Sequence, residues 1–464
     1  MSGYGAPPAG GGFYPPAQGS YPSQGAAAGY PPAGTYPPQG AYPSATHGGY
    51  PAPGGAPYGN PYGPPAHPPA PGQAYPYGGA GSAPPPPPQA PYGGGYAPPP
   101  PQHGHGHHHS HSHGHSHSQG HAAYAAPPQQ GGAYYYNGIP VPPPPGAPPA
   151  PPPAGIDGAQ LAESVRKATK GFGTDEKLLI STIAPLDAFQ VDALSKSFKS
   201  ISGKEIVKVL EKETSGWFEY ALRLKVLGPL AGDCWLLNRA CDGAGTHEDL
   251  LNEVLLARSN ADMWALKQAY KSIYGKDLER VVDGELSVKT KRMFSMAMNG
   301  NRTEENVPPN PSDIARDVQA LKSAARGMGT DEITICSILV GRSQAQLVAI
   351  AREYQHKHGA LSSMVRSEFS GHMRDALLFI ADGAERGGQG IERDAQLLET
   401  AMAGMGTKDE RLTYRLIRLH WNRHRFNEVK MAYAGLVNKK GLRSRVAGET
   451  SGDYGRFLEA LVGH

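Results

Sequence analysis

The chain has 464 residues, and its 43 Lys and Arg against 40 Asp and Glu leave a formal net charge of +3. Balanced charge argues against a basic nucleic-acid surface, and no apolar run approaches the roughly 20 residues needed to span a bilayer, so any membrane role is peripheral. Cys234, Cys241 and Cys336 show no Cys-x-x-Cys spacing, and an odd count behind a start, MSGYGAPPAGGG, that lacks a secretory signal fits a reducing, cytoplasmic compartment with the thiols as small buried hydrophobes.

The charges are confined to one part of the chain: every Lys, Arg, Asp and Glu follows Ile156. Residues 1–156 are mostly Gly, Pro, Ala, Tyr, Ser and His. Such a composition cannot bury enough apolar surface to offset the entropy of ordering, so a disordered tail is expected. It carries 17 of the 24 tyrosines, in GYPP, TYPP, PYG and AYP contexts. That is the composition of self-associating low-complexity segments, with a solvated spacer as the plainer alternative. Ten histidines from His103 to His121 could take Zn²⁺, Ni²⁺ or Cu²⁺, or gain charge as pH falls through about 6.5.

From residue 157 onward, apolar residues recur at helical spacing, as in Leu178, Leu179, Ile183 and in Met263, Leu266, Tyr270, Ile273. Strand-like alternation is scarce, which predicts an all-α fold. Four stretches share one turn: KGFGTDEKLL from Lys170, DGAGTHEDLL from Asp242, RGMGTDEITI from Arg326 and AGMGTKDERL from Ala403. Thr174, Thr246, Thr330 and Thr407 stand where a helix N-cap belongs, and Asp175, Glu176, Glu248, Asp331, Glu332, Asp409 and Glu410 place negative charge at the positive end of the helix dipole. A second signature follows each turn, with Glu213, Glu285, Glu368 and Glu449 lying 42, 42, 41 and 45 residues beyond the first glycine. The turns are 72, 84 and 77 residues apart. The chain therefore divides into four units of about 70 residues, each of several short helices, over 157–230, 231–305, 306–386 and 387–464.

Two chemistries compete for a glycine turn at a helix start. One is anion binding by main-chain amides; the other is cation binding by carbonyl oxygens that the glycines turn outward. A carboxylate brought beside the turn would repel phosphate but complete an oxygen cage for a hard cation such as Ca²⁺, which takes roughly 6–8 oxygens. No Walker sequence favours phosphate, since Gly203-Lys204 is followed by Glu205 and position 198 is Phe where Gly is required.

Four Gly-x-Gly-Thr turns, each with an acid about 42 residues on, resemble the calcium-binding signature of the annexins, over roughly 157–464. The resemblance implies four five-helix repeats forming a curved right-handed superhelical disc, preceded by the tail, with calcium sites on the convex face bridging to anionic, phosphatidylserine-like membrane. It implies ligands from the carbonyls of the residue two before the first glycine and of both glycines, with the acid bidentate. Repeat one then offers Thr169, Gly171, Gly173 and Glu213, and repeat two Cys241, Gly243, Gly245 and Glu285. Repeat three offers Ala325, Gly327, Gly329 and Glu368, and repeat four Met402, Gly404, Gly406 and Glu449. Lys170 and Arg326 stand where the family meets a lipid phosphate, whereas repeats two and four have Asp242 and Ala403 there.

Other departures concern register. The family's Arg-Ser/Thr pair survives as Arg258-Ser259 and Arg342-Ser343, but repeat one reads Ala184-Pro185-Leu186 and repeat four Leu419-His420-Trp421. The 45-residue spacing makes repeat four the odd one, and repeats one and two are expected to dominate calcium binding. Arg411, Arg415 and Arg418 fall on one helical face, read as a solvated face or as ion pairs between repeats in preference to a lipid or RNA contact. Trp217, Trp235, Trp264 and Trp421 are read as core. The expected function is calcium-dependent docking on anionic phospholipid, with vesicle clustering by the tail. A tail-driven self-associating scaffold or RNA-granule tether is the alternative, and no nucleophile-base pair, HExxH or nucleotide fingerprint points to an enzyme.

Overall fold

The computed structural model describes residues 134–463 except 145–146, 149–152, 154, 244, 327–328 and 438–439. The tail up to residue 133, with its tyrosine contexts and the His103–His121 tract, lies outside the described residues, as does Gly327.

Twenty helices follow Asp157 in four runs of five. The first run is α1 (Gly158–Ala168), α2 (Glu176–Ile183), α3 (Ala188–Ser202), α4 (Ile206–Glu213) and α5 (Gly216–Val226). The second is α6 (Gly228–Ala240), α7 (Glu248–Leu255), α8 (Asn260–Tyr274), α9 (Leu278–Glu285) and α10 (Val288–Met298). The third is α11 (Pro311–Ala324), α12 (Glu332–Gly341), α13 (Gln344–His358), α14 (Leu361–Glu368) and α15 (Gly371–Ala384). The fourth is α16 (Ile391–Met402), α17 (Asp409–Trp421), α18 (Arg423–Leu436), α19 (Leu442–Glu449) and α20 (Gly452–Val462).

Each run repeats one packing scheme, with the first helix against the third and the fourth against the fifth. Between runs the second and fifth helices meet reciprocally: α2 packs on α20 and α5 on α17, while α7 packs on α15 and α10 on α12. Short helices of this kind are marginal alone and draw their stability from such apolar faces. Leu179, Leu210, Leu237, Leu266, Phe294, Leu321, Leu398 and Phe457 are fully buried in one continuous core, each contributing about 1.5–3 kcal/mol.

Polar ties fix the third helix of each run. Asp187, Ser259, Ser343 and Asn422 cap α3, α8, α13 and α18 through their side chains, satisfying amides that the helix cannot. The two Arg-Ser pairs work together with these caps. Arg258 donates to Asp233 at 2.8 Å and Arg342 to Asp317 at 2.6 Å, each reaching 25 residues back into the first helix of its run.

The arginine face of α17 consists of ion pairs between runs, all to the second. Arg411 meets Asp249, Arg415 lies 3.0 Å from both Glu253 carboxylate oxygens, and Arg418 lies 2.9 Å from Asp233. Cys234 and Cys336 are buried and Cys241 half-buried, all three free thiols. Trp235, Trp264 and Trp421 pack against the core. Trp217 departs from expectation: at the start of α5 it is 38 % exposed, with its ring edge-on to Tyr220.

The expectation of an unstructured segment up to residue 156 fails at its C-terminal end. Tyr134–Tyr136 and Ile139–Val141 form an antiparallel hairpin, β1 and β2, with Tyr134 opposite Val141. Asn137 and Gly138 turn it with φ of 53° and 73°, the left-handed pair that an Asn-Gly hairpin turn demands. Alternation then buries Tyr134 and Tyr136 and leaves Tyr135 exposed. The hairpin docks because the core offers polar partners to Tyr136 and to the turn: Tyr136 donates to Asp233, and the Asn137 amide donates to Asp262 at 2.9 Å. The hairpin turn lines a cavity of about 550 Å³ together with the charged Glu253, Arg258, Arg415 and Arg418 and apolar neighbours such as Leu256 and Leu397.

Candidate metal centres

Each glycine turn joins the first helix of a run to its second. One bond closes all four turns, the amide seven residues on donating to a helix-end carbonyl: Asp175 to Ala168 at 2.8 Å, His247 to Ala240 at 3.0 Å, Asp331 to Ala324 at 2.9 Å and Lys408 to Ala401 at 2.8 Å. Inside it the chain needs φ of 117° and 90° at Gly171 and Gly173, 102° and 97° at Gly243 and Gly245, 120° at Gly329, and 99° and 82° at Gly404 and Gly406. Only glycine adopts these without strain. A Cβ at any of these seven would meet nothing within 4 Å. Main-chain conformation, then, explains the glycines, and contact does not.

The threonines do not cap. The N-caps are the next residues, Asp175, His247, Asp331 and Lys408, and the Asp175 and Asp331 side chains accept from Leu178 and Thr334 amides. A threonine one residue too early for the cap is free to reach the acid. Thr174 donates to the Glu213 carbonyl at 3.0 Å, Thr246 lies 3.2 Å from the Glu285 carboxylate, Thr330 donates to the Glu368 carboxylate at 2.6 Å, and Thr407 lies 3.0 Å from that of Glu449. All four predicted acids therefore stand beside their predicted turns.

Glu213, Glu285, Glu368 and Glu449 are each the last residue of an eight-residue fourth helix. Most of the variation in spacing falls in the connection before that helix, 203–205, 275–277, 359–360 and 437–441. The 45-residue interval thus leaves the register of Glu449 intact. Lys170 and Arg326 are exposed beside their turns. Among the described residues, no group of three His, Cys, Asp or Glu side chains is placed to hold a metal, so a cation here would depend on main-chain oxygens around one carboxylate.

The turn-bearing ends of the runs are tied to one another. Glu410 beside the fourth turn pairs with Arg239 and His247 beside the second, Lys289 pairs with Glu332 at 2.6 Å, and His372 lies 2.9 Å from Asn252. Tyr220 of the first run lies under the Arg239 guanidinium.

A family model described as Annexin matches residues 160–224, 232–296 and 316–380. Annexin C1 of Cryptococcus neoformans var. grubii is 54% identical over 67% of this chain and 66% of its own length. The chain belongs to the annexin family. Human annexin A7 is 35% identical over 67% of this chain and 62% of its length, so the chain spans just under two thirds of these relatives. Among solved structures, annexin III shares 28% identity with TM-score 0.62 over 68% of this chain and 96% of its own. Chicken annexin V in complex with Zn²⁺ shares 28% with TM-score 0.60 over 68% and 97%. The fourth annexin repeat, α16–α20, has the same five-helix order as the three that the family model matches.

Sequence reasoning missed two sets of residues at these annexin turns. Phe172 and Met405 are fully exposed between the paired glycines, and Val288, 86 % exposed, follows the second acid. Among the described residues these are the three most exposed large apolar side chains. The middle position of Gly-x-Gly was the available signal. The other miss is in repeat four, where Arg445 of α19 pairs with Glu449 and donates to the Met402 carbonyl at 2.7 Å.

Proposed function

We propose that this chain docks on anionic phospholipid when calcium rises, through carbonyl-plus-carboxylate sites at its glycine turns. The observation that carries this reading is the pairing of each turn with its acid on ends that also hold Phe172, Val288 and Met405 out in water. A fully exposed phenylalanine costs solvation free energy unless something covers it. A lipid interface covers it while its headgroups meet the cation and the neighbouring Lys170 and Arg326.

The ligands would be the carbonyls of Thr169, Gly171 and Gly173 with Glu213, of Cys241, Gly243 and Gly245 with Glu285, and of Ala325, Gly327 and Gly329 with Glu368. In repeat four Met402, Gly404, Gly406 and Glu449 occupy the corresponding positions, with Arg445 already bonded to the first and last of them. The ion supplies positive charge that bridges protein oxygens to lipid oxygens. One carboxylate per site is few for calcium, whose affinity follows ligand charge, so the protein alone should bind weakly, with Kd on the order of 10⁻⁴–10⁻³ M. A bidentate acid and three carbonyls leave coordination positions open for a lipid oxygen. Lipid then raises calcium affinity, and calcium raises lipid affinity by the same factor. Chicken annexin V, which holds Zn²⁺ on the same fold, supports a divalent cation here. The role is binding without catalysis, at cytoplasmic membrane surfaces, and residues 1–133 act as a self-associating arm that clusters docked vesicles.

Cosedimentation with phosphatidylserine and with phosphatidylcholine vesicles, with and without calcium, tests this. The full chain should pellet only with the anionic vesicles and calcium. Undiminished pelleting after Glu213→Gln, Glu285→Gln and Glu368→Gln together would refute the sites. Removing residues 1–133 should preserve pelleting and lower vesicle aggregation.

A further inference from the structure

We propose that Arg445 is a built-in cation that closes the fourth turn to calcium, so that three repeats, and not four, carry the calcium response. The proposal rests on the calcium reading above and concerns which sites serve it.

Position on the helix comes first. Residues i and i+4 of a helix share a face, so the side chain one turn before each acid lies beside that acid. In α4, α9 and α14 it is Val209, Val281 and Met364; in α19 it is Arg445. Three acids thus have an apolar neighbour, and the fourth has a guanidinium.

The contacts show what that guanidinium does. Its Nη1 donates to the Glu449 carboxylate, and its Nη2 donates to the Met402 carbonyl at 2.7 Å. These are the acid and the leading carbonyl of the repeat-four oxygen set, so one planar group spans both ends of it. Nη2 also lies 3.6 Å from Glu399, which accepts from Tyr433 of α18. Arg445 is thereby seated by groups on α16 and α19. The other acids receive lighter partners: hydroxyls at Glu285 and Glu368, and at Glu213 the exposed Lys212 ammonium 3.9 Å away.

The main chain before the turn differs as well. The amides of Lys170, Asp242 and Arg326, one before the first glycine, donate to carbonyls three residues back, on Lys167, Arg239 and Ser323. In repeat four the α-helical pattern runs one residue further, and the Ala403 amide donates four back to Glu399 at 2.7 Å. Arginine does not lose its proton at accessible pH, so calcium could enter only by displacing a charged side chain from two oxygens it already satisfies, and would then face that charge nearby.

The test counts calcium bound by the full chain on phosphatidylserine vesicles, by equilibrium dialysis. Glu449→Gln should leave the count and midpoint within twofold of wild type, whereas Glu285→Gln should remove one ion. Arg445→Val, which installs the residue of repeats one and two, should add one ion, and Glu449→Gln in that background should remove it again. A calcium-free readout is independent of lipid: Glu449→Gln should lower Tm measurably because it removes the guanidinium's charged partner on α19, while Glu285→Gln should not. Loss of an ion from Glu449→Gln in the wild-type chain, or equal Tm for the two Gln variants, would overturn the Arg445 assignment. No loss from any of Glu213→Gln, Glu285→Gln and Glu368→Gln would instead overturn the calcium reading, with the Tm comparison still deciding the clamp.

Discussion

Tyr136 donates its phenolic hydrogen to Asp233 at 2.7 Å, joining residues 97 positions apart. Asp233 is buried with Arg258 and Arg418 as its other partners. Burial alone would raise its pKa, but the two guanidiniums and the Tyr136 hydroxyl outweigh it and hold the carboxyl below its usual range. For Tyr136 itself, burial and the nearby carboxylates push the phenol well above its ordinary value, so the group stays a donor. Tyr136→Phe removes a hydrogen bond to a buried charge and should cost about 1.5–3 kcal/mol. Denaturant melts of the full chain would measure it, and proteolysis between the tail and residue 157 should quicken in the variant as the hairpin lifts.

The arginine face of α17 offers a graded comparison on one helix. Arg415 and Glu253 each have side chains 6 % exposed, whereas Arg411 and Asp249 are 44 % and 37 % exposed. Breaking a buried pair strands a charge and costs about 3–5 kcal/mol, while an exposed pair gives about 0–1 kcal/mol. Arg415→Met should therefore lower stability by several times what Arg411→Ala does, in urea melts of the two variants side by side. Similar losses from both would show that the seam between repeats two and four is open to water.

Much of this was legible from the chain itself. The helical class, the four turns and their acids follow from glycine and glutamate positions, because φ at Gly171 or Gly404 is a local demand and the acid is a count along the chain. The arginine pairs were legible as a face, though not their partners, which come from sequence-distant Asp233, Asp249 and Glu253. The threonine role was misread because Thr-Asp in repeats one and three offers two neighbouring capping side chains, and in repeats two and four His247 and Lys408 take the cap position without a side-chain bond, which leaves Thr246 and Thr407 to the acid. The hairpin was hidden by composition: YYYNGIPV carries the Asn-Gly signal, but the uncharged residues around it outweighed it. The spacing of 45 sets repeat four apart in the sequence, yet most of its excess lies in a longer connection before α19. Arg445 was visible as a letter and acquired meaning only once α19 fixed it one turn from Glu449.

The exposed tips give a prediction that separates docking from folding. Phe172 and Met405 make no core contact, so Phe172→Ser and Met405→Ser should change calcium-free stability by no more than about 0.5 kcal/mol. Burying a side chain of this size in lipid contributes about 2 kcal/mol, so each variant should lose tenfold or more in vesicle affinity at saturating calcium. Flotation assays against a calcium series would show it. Unchanged affinity in both would mean that the turns meet headgroups alone.

His420 supplies the pH prediction. It is 3 % exposed on α17, with Nδ1 2.9 Å from the Leu461 carbonyl of α20, so Nδ1 carries the hydrogen; Nε2 is buried without a hydrogen-bond partner. Burial, then the positive charges of Lys225, Arg423 and Lys430, lower its pKa to about 3. An unfolded chain would protonate the ring near pH 6.5, which the native state resists until far lower. Stability from this group is therefore whole above about pH 6.5 and is lost as pH falls toward 3, at about 1.4 kcal/mol per unit, or about 2 kcal/mol by pH 5. His420→Gln keeps a donor for Leu461 and cannot titrate. The fall in Tm between pH 7 and pH 5 should be smaller in the variant by several degrees, other titrating groups such as His372 being common to both. Parallel falls in the two proteins would mean that His420 accepts a proton in the native state, and that the contact between α17 and α20 opens to admit it.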